Sequence, residues 1–453
     1  MTTRLSPKVL LIGWDAADWR MIRPLIQAGL MPTLAGLIDR GASGNLATIH
    51  PVLSPILWTS IATGKRADKH GIHGFVEPQP DGSGIRPVNS TSRTTKAIWN
   101  ILSQSGLRSN VVGWFASHPA EPIQGAVVTD YYVHPATLRG GAPAADMCHP
   151  ARLATPLANL RVDPADLDAE ALLPFVPQAA KIDFANDRRL MELASLLART
   201  SSIHAAACAL LVNEPWDFMA VYYDAIDQFG HHFMPYHPPR MAGVSELDAE
   251  IYQHVMTGCY RFHDMMLETL LAHAGPDATV ILASDHGFQS GDRRQDVDGF
   301  KNPTSWHRQH GVVCVAGPGI ERGAPLHGAT LLDIVPTILT LFGLPIGADM
   351  DGRPWLEILD RQVRPDRIPS WDEAAGPCGS HAPDRREDSV AAAEAIRHLV
   401  DLGYIAPPAD DVQETIDRTI VDLKTNLAWA LADGGKHEQA LETWQVVLDL
   451  VQN

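Results

Sequence analysis

The feature that most constrains the fold is a set of short, continuous apolar runs that each lead into acidic residues. The runs are residues 9–14, 217–223 and 279–283, and the acids after them are Asp15, the pair Asp224 and Asp227, and Asp285. Continuous apolar runs of this length are typical of strands buried on both faces of a parallel sheet. The sequence therefore predicts an α/β fold in which a mostly parallel sheet is sandwiched by helices.

The acids are predicted to meet at one edge of that sheet, because the carboxyl ends of parallel strands lie together. Histidines follow closely in DAIDQFGHH and SDHG. Several carboxylates at one edge repel one another unless a cation lies between them. Mixed Asp and His ligands suit zinc, manganese or iron better than calcium, and there are enough of them for two ions. A rival interpretation of Asp15 or Asp18 is that the side chain only caps the next helix.

Ser54 is the candidate nucleophile. It precedes Pro55 and an apolar run to Ala62, which predicts a helix over about 55–62 with Ser54 at its N terminus. A hydroxyl in this place can cap the helix, or it can attack a phosphorus whose oxygens the helix end holds. Capping is the better explanation of the serine alone. Two metal ions about 4 Å apart would clamp a phosphoryl displacement and give Ser54 the second role.

The domain organisation follows from changes in composition. Residues 1–360 are predicted to form the catalytic domain, and the Ala-, Pro- and Asp-rich stretch 135–200 is interpreted as a helical cap insertion. Residues 361–388 are polar, with several Pro and Gly, and are interpreted as a linker or a surface excursion. Residues 389–453 have helical spacing and resemble one tetratricopeptide (TPR) unit near Ala428 and Ala440. Either these helices form a hairpin that packs on the main domain, or they belong to a longer array. We expect them to lie outside the catalytic core and to offer a surface to a protein partner.

Composition and charge limit the partners and the compartment. The net charge of −17 argues against binding to duplex nucleic acid or to an anionic membrane surface, while a bound metal still permits a small anionic substrate. The five cysteines form no CxxC pair, which indicates a reducing compartment and no cysteine-based zinc site. The N terminus has only a short apolar run, and no run approaches the roughly 18 residues of a membrane span. These observations predict a cytoplasmic protein without a membrane span.

Five segments together resemble the alkaline phosphatase superfamily, in its type I phosphodiesterase/nucleotide pyrophosphatase branch. They are GWDAADW, LSPILWTSIATG with KHGIHG, DAIDQFGHH, ASDHG, and WHRQHGVVCVAGPGI, and they occur in the order of the family over roughly residues 8–359. The resemblance implies an alkaline-phosphatase-like fold and a two-metal hydrolase of phosphate esters. The expected cofactors are two divalent ions, with Zn²⁺ favoured and Mn²⁺ as the alternative.

The resemblance also implies a role for each site residue. Ser54 would be the nucleophile of a covalent phospho-Ser54 intermediate. One metal would be held by Asp15, Ser54, Asp285 and His286, and the other by Asp227, His231 and a later histidine. The HRxxG pattern favours His307 for that last ligand, with His310 as the alternative. A metal-dependent phosphomutase, or an inactive scaffold that presents a TPR array, are the alternative functions.

Overall fold

The computed structural model describes residues 4–133, 145–294, 303–382, 393, 396–397, 399–400 and 403–452. The strands, β1 to β15, are Lys8–Trp14, Gly41–Ala47, Val76–Pro78, Ile85–Pro87, Ser109–Val112, Gly125–Val128, Cys148–His149, Phe218–Tyr223, Ala278–Ala283, Gly287–Phe288, His307–Arg308, His310–Ala316, Pro325–Thr330, Ile346–Gly347 and Arg367–Ile368. The α-helices, α1 to α14, are Trp19–Gln27, Pro32–Asp39, Ser54–Thr63, Ala67–His70, Ile98–Gln104, Ala154–Ala158, Ala169–Leu172, Arg189–Asn213, Ala225–Phe233, Glu246–Tyr252, Val255–Ala274, Ile334–Leu341, Val412–Asp433 and His437–Gln452.

Nine strands form the central sheet, in the order β13-β2-β12-β9-β1-β8-β5-β6-β7. The five neighbours β9, β1, β8, β5 and β6 are parallel, whereas β12 and β7 run antiparallel to the strands beside them. Strand β1 lies between β9 and β8, the other two strands that lead into acidic residues. Trp14 lies opposite Tyr223 of β8, and Gly13 lies opposite Ala283 of β9. The predicted mostly parallel sheet is confirmed, and its three acid-bearing strands are direct neighbours.

Apolar cores cover both faces of the sheet. Leu10, Ile12 and Trp14 belong to one core, while Val9 and Leu11 belong to the other. This alternation follows from the two-residue period of a strand, which sends successive side chains to opposite faces. All of these side chains are at most 1% exposed. A strand buried on both faces has to be apolar throughout, which explains the continuous runs in the sequence.

The stretch predicted as a cap lies partly outside the described residues, since 134–144 are not among them. The remainder contains short helices and then α8, the 25-residue helix Arg189–Asn213. Helix α8 packs against strands β5 and β8 and against helices α9 and α11, so it is a layer of the main fold. The cap interpretation does not describe α8 and stays a prediction for the shorter helices before it.

Helix α8 also bears on the expected absence of a membrane span. By length and composition it is apolar enough to cross a membrane, and so are α1 and α2 together, although they are bent by 100°. In α8, 56% of the apolar window is buried inside the protein. A core helix has the same property, so its apolar composition is explained by packing.

The described part of the predicted linker is packed on the catalytic domain. Strand β15, Arg367–Ile368, pairs with β14, and Trp371 is buried with only 9% of its surface exposed. The Lys65 ammonium forms ion pairs of 2.5 Å with both Asp349 and Asp372. Residues 361–382 therefore form a surface excursion of the catalytic domain and not a separate linker, while 383–388 lie outside the described residues.

The C-terminal helices α13 and α14 form a helical hairpin that packs on the catalytic domain. Ile416 of α13 is buried with Val76 and Ile85 of the β3–β4 pair. Ala430 is buried against Ile56 of α3 and Ala67 of α4. These contacts show that the hairpin packs on the main domain and shares a core with the segment that carries Ser54, so the expectation that it lies outside the catalytic core is wrong. The TPR assignment itself stays a prediction.

Two ion pairs add to this contact: Arg66 with Asp433, and Lys436 with Asp68. The Asn426 side chain also donates a hydrogen bond of 2.9 Å to the carbonyl of His73. Arg66, Asp68 and His73, the catalytic-domain residues in these contacts, all lie within ten residues after the end of α3. The hairpin thus covers the segment that leads away from the candidate nucleophile.

Candidate active site

The first group of predicted ligands lies at the carboxyl ends of β1 and β9. Nε2 of His286 is 3.3 Å from Oδ1 of Asp15 and 3.6 Å from Oδ2 of Asp285. All three side chains are buried, and their ligand atoms lie within 4.8 Å of one another. We call Asp15, Asp285 and His286 the first cluster. Nδ1 of His286 lies 3.1 Å from the Gly287 carbonyl, a contact that leaves Nε2 facing the carboxylates.

The second cluster consists of Asp227, His231 and His307. Asp227 and His231 lie four residues apart on α9 and so share one face of the helix. Nε2 of His231 and Nε2 of His307 are each 3.3 Å from Oδ1 of Asp227, and 3.3 Å from each other. The His286 and His307 rings stack with their centroids 3.9 Å apart, so the two clusters adjoin. His310, the alternative ligand, is exposed at the start of β12 and belongs to neither cluster.

Each carboxylate of the two clusters has one oxygen held by a donor and the other without a hydrogen bond. Oδ2 of Asp15 accepts from the Trp58 indole at 3.0 Å and from the Tyr222 hydroxyl at 2.6 Å. Oδ2 of Asp227 accepts from the Tyr404 hydroxyl at 2.8 Å. The remaining oxygens, Oδ1 of both aspartates, are buried and have no hydrogen-bond partner among the described residues. A buried polar atom without a partner is costly, and a bound cation would satisfy it.

Asp285 completes the pattern through the backbone. The N–H of Ala16 donates to Oδ1 of Asp285 at 3.4 Å, while Oδ2 of Asp285 and Nε2 of His286 lack hydrogen-bond partners among the described residues. Ala16 holds a φ of 62°, in the left-handed region that costs a residue with a Cβ about 1 kcal/mol or more. This strained turn directly after Asp15 aims a backbone donor at the cluster. The atoms without hydrogen-bond partners are carboxylate oxygens and an imidazole nitrogen, and all are buried. This combination of ligand atoms fits divalent transition-metal ions.

The electrostatics of the clusters show how much negative charge is buried here. Burial, and then the Asp15 carboxylate, raise the pKa of Asp285 well above its usual value. Burial lowers the pKa of His286, but the Asp285 and Asp15 carboxylates outweigh that effect and raise it to about 10. Burial, followed by His286, lowers the pKa of His307 to about 4.

Ser54 is the first residue of α3, and the residue that caps this helix is Leu53, which has no side-chain hydrogen bond to offer. The helix spans Ser54–Thr63, close to the predicted 55–62. Ser54 lines a cavity of about 160 Å³ together with Asp15 and Asp227. Among the described residues the Ser54 hydroxyl has no capping partner, so the capping explanation is not supported.

The capping explanation applies instead to Asp18. Its side chain accepts from the Arg20 N–H at 2.8 Å at the start of α1, and it also pairs with Arg308. Asp224 lies at the start of α9 and pairs with Arg199 at 2.9 Å. His232 lies 3.5 Å from Glu192, outside both clusters. These residues surround the clusters without joining them.

The cavity beside Ser54 has a mostly apolar wall. Phe75, Phe115, Ile203, Leu399 and Tyr404 are among the residues that line it. Burial raises the pKa of the Asp130 carboxyl, which also lines the cavity, to about 6. The cavity therefore presents aromatic and aliphatic side chains beside the candidate nucleophile and the carboxylates.

Sequence reasoning missed the residues that hold the carboxylates: Trp58, Tyr222 and Tyr404. Trp58 and Tyr222 lie within predicted elements, but their pattern is that of ordinary core residues. Tyr404 lies in a part of the chain assigned to another unit. No local signal identifies these donors, because their role depends on contacts between distant segments.

The sequence profile of the family described as "Type I phosphodiesterase / nucleotide pyrophosphatase" matches residues 9–326 of the chain. The chain belongs to this family. The match covers both clusters and Ser54, and it confirms the superfamily to which the resemblance pointed.

The individual proteins that resemble this chain share only part of its length or a small fraction of its sequence. A 2,3-bisphosphoglycerate-independent phosphoglycerate mutase from a Cyanothece species is 32% identical over 114 residues, which is 23% of this chain and 20% of the mutase. The chain therefore spans about a fifth of the length of the curated relatives it matches. Among solved structures, human ectonucleotide pyrophosphatase/phosphodiesterase 5 is 12% identical, with 78% of this chain and 100% of that chain covered and a TM-score of 0.45. A 2-O GAG sulfatase is 14% identical, with 77% and 73% covered and a TM-score of 0.48.

Proposed function

We propose that the chain is a two-metal hydrolase of phosphate esters that works through a covalent phospho-Ser54 intermediate. The observation that carries the proposal is the arrangement of the buried carboxylates. Asp15, Asp227 and Asp285 each have one oxygen held by a donor and the other free beside a histidine. The first cluster, with the Ser54 hydroxyl, would hold one ion, and the second cluster would hold the other.

Two divalent ions in this place supply positive charge for the phosphoryl oxygens and favour the ionised form of a nearby hydroxyl. Zn²⁺ suits the Asp and His donors best, and Mn²⁺ is the alternative. The chain itself supplies the nucleophile and its orientation. The N terminus of the ten-residue helix α3 places the Ser54 side chain and the positive end of the helix dipole beside the cavity, where that dipole favours a phosphoryl anion.

The reaction is a double displacement at phosphorus. Oγ of Ser54 forms a bond to phosphorus while the bond from phosphorus to the leaving alcohol breaks, and the proton lost from Oγ balances the one that the alcohol gains. Water then attacks the phosphoserine, which restores the Ser54 hydroxyl and releases the phosphate product. The apolar wall formed by Phe75, Phe115 and Ile203 would exclude bulk water around the leaving group.

A phosphomutase is the second candidate, because the curated relatives that match part of the chain are phosphoglycerate mutases. A mutase has to hold an anionic sugar acid while the phosphoryl group returns to it. Among the described residues that line the cavity, Arg199 is the one cationic side chain, and it is already paired with Asp224. This lining favours hydrolysis. An inactive scaffold is a third candidate, and the complete set of ligand types argues against it.

The test combines metal analysis with a substrate screen. We expect two transition-metal ions per purified chain, and hydrolysis of phosphomonoesters or phosphodiesters that depends on added zinc or manganese. Acid quenching during turnover followed by peptide mass spectrometry should find phosphate on Ser54. Sulfate esters and phosphoglycerates belong in the same screen, since transfer without hydrolysis would identify a mutase. A protein that holds no metal and gains no activity with zinc or manganese would contradict the proposal.

A further inference from the structure

The C-terminal segment, by which we mean the described residues from 399 to 452, contacts the second cluster through Tyr404. Its hydroxyl donates a hydrogen bond of 2.8 Å to Oδ2 of Asp227. Its ring meets the His231 ring edge-on, with the centroids 6.1 Å apart. Tyr404 thus contacts two of the three members of the cluster. It lies outside residues 9–326, the part of the chain that matches the family.

The position of Tyr404 is determined by its neighbours in the C-terminal segment. Its backbone N–H donates to the Leu399 carbonyl at 3.0 Å, and Gly403 directly before it has a φ of 75°, which favours glycine. The Tyr404 ring stacks on Phe75 with the centroids 4.5 Å apart. Ile405 packs against the core that Ile416 of the hairpin forms with β3 and β4. The location of the hydroxyl therefore depends on the docking of the hairpin.

The first cluster contains the same arrangement, built from the central sheet. The Tyr222 hydroxyl, on β8, donates to Oδ2 of Asp15 at 2.6 Å, and Oδ1 of Asp15 is left facing His286. In both clusters a tyrosine holds Oδ2 of the aspartate and presents Oδ1 to the imidazoles. The difference is the origin of the tyrosine, which comes from the sheet in one cluster and from the C-terminal segment in the other.

We propose that Tyr404 is a positioning residue for metal binding, which makes the affinity of the second cluster depend on the docked C-terminal segment. The hydrogen bond to Oδ2 keeps Oδ1 of Asp227 directed at Nε2 of His231 and His307. Donors around metal ligands fix ligand orientation, and their loss typically lowers metal affinity about 10- to 100-fold. The inference rests on the proposed function, because it requires that the second cluster holds an ion.

The experiment compares zinc binding by three tyrosine-to-phenylalanine variants of the full chain. Zn²⁺ is titrated in competition with a chromogenic chelator, which gives the stoichiometry and both affinities. Tyr404→Phe keeps the ring stack on Phe75 and removes only the hydroxyl. Tyr222→Phe is the corresponding variant for the first cluster, where the Trp58 indole still donates to Oδ2 of Asp15 and should make the loss of affinity smaller. Tyr252→Phe is the control, because it removes another tyrosine–aspartate hydrogen bond, of 2.8 Å to Asp187, away from both clusters.

We expect Tyr404→Phe to weaken one of the two zinc ions about 10- to 100-fold, and Tyr252→Phe to leave both unchanged. In a His307→Ala background, which lacks the second ion, Tyr404→Phe should have no further effect on the ion that remains. Parent-like zinc affinities in Tyr404→Phe, or an equal loss in Tyr252→Phe, would overturn the inference while the two-metal proposal stands. A parent chain that binds no zinc would overturn both.

Discussion

Nε2 of His307 lies 3.3 Å from Oδ1 of Asp227, the oxygen that is left free when Tyr404 holds Oδ2. This contact distinguishes the two candidate histidines that follow Asp285. His307 points into the second cluster, whereas His310 is exposed at the start of β12. The two residues are near in sequence, but β11 and β12 direct them to different surroundings.

His307→Ala should therefore lose one of two metal ions, and His310→Ala should lose none. The reason is that only His307 has its ring nitrogen beside Asp227 and His231. Elemental analysis of both purified variants measures the metal content directly. Two ions in His307→Ala combined with one ion in His310→Ala would show that the ligand assignment is reversed.

Ser54→Ala should lower turnover by about three or more orders of magnitude, which corresponds to about 4 kcal/mol of activation free energy. The variant should keep its metal, because the Asp and His ligands remain. It should also keep its stability to within about 0.5 kcal/mol, because the Ser54 hydroxyl does not cap α3. Steady-state kinetics on a chromogenic phosphodiester measure the effect. Ser54→Thr retains a hydroxyl and should keep part of the activity, and a near-parent rate in Ser54→Ala would point to water as the nucleophile.

The stability of the fold should decrease in mild acid because of His70. This buried imidazole accepts the Ile72 N–H at Nδ1 and contacts the Ser60 hydroxyl at Nε2, and burial lowers its pKa to about 3. An unfolded histidine has a pKa near 6.5, so between pH 6.5 and 3 the unfolded chain binds one more proton than the folded chain. The free energy of unfolding should therefore fall by about 1.4 kcal/mol per pH unit across that window.

Urea denaturation of the parent and of His70→Gln between pH 7 and pH 5 tests this expectation. His204 and His263, whose pKa values burial lowers to about 4, are present in both proteins and contribute equally to both slopes. As the pH falls, the free energy of unfolding of the parent should decrease more steeply than that of the variant. The difference between the two slopes should approach about 1.4 kcal/mol per pH unit, the contribution of one histidine. Identical slopes would mean that the pKa of His70 is the same in the folded and the unfolded protein.

Ile416→Asp should destabilise the whole protein, because Ile416 is buried between the hairpin and the β3–β4 pair. Loss of the buried side chain and burial of a charge should together cost about 3 kcal/mol or more. Leu441→Asp on α14 is the matched control, since Leu441 is 70% exposed and should change stability by less than about 0.5 kcal/mol. Thermal unfolding compares the two variants. A parent-like unfolding temperature for Ile416→Asp would show that the hairpin does not share the core.

The sequence alone was sufficient for the sheet and for the edge of the sheet at which the candidate ligands meet. The runs before Asp15 and Asp285 are apolar at every position because their strands are buried on both faces, and this pattern is local. The parallel arrangement then brings the residues that follow those strands to one edge. The pair Asp227 and His231 was also predictable, because a spacing of four residues puts two side chains on one face of a helix.

Only the tertiary structure could decide what surrounds those residues. Tyr404 holds Oδ2 of Asp227 and leaves Oδ1 without a hydrogen bond. These two residues are far apart in the chain, and no sequence pattern predicts that they meet. The polar stretch near Trp371 resembles a linker in composition, yet Trp371 is buried and Asp372 forms an ion pair with the distant Lys65. Strand and helix periodicity is set by neighbours in the chain, whereas hydrogen bonds and packing between segments are set by the global fold. That difference explains why the candidate ligands were found from the sequence and the tyrosines that orient them were not.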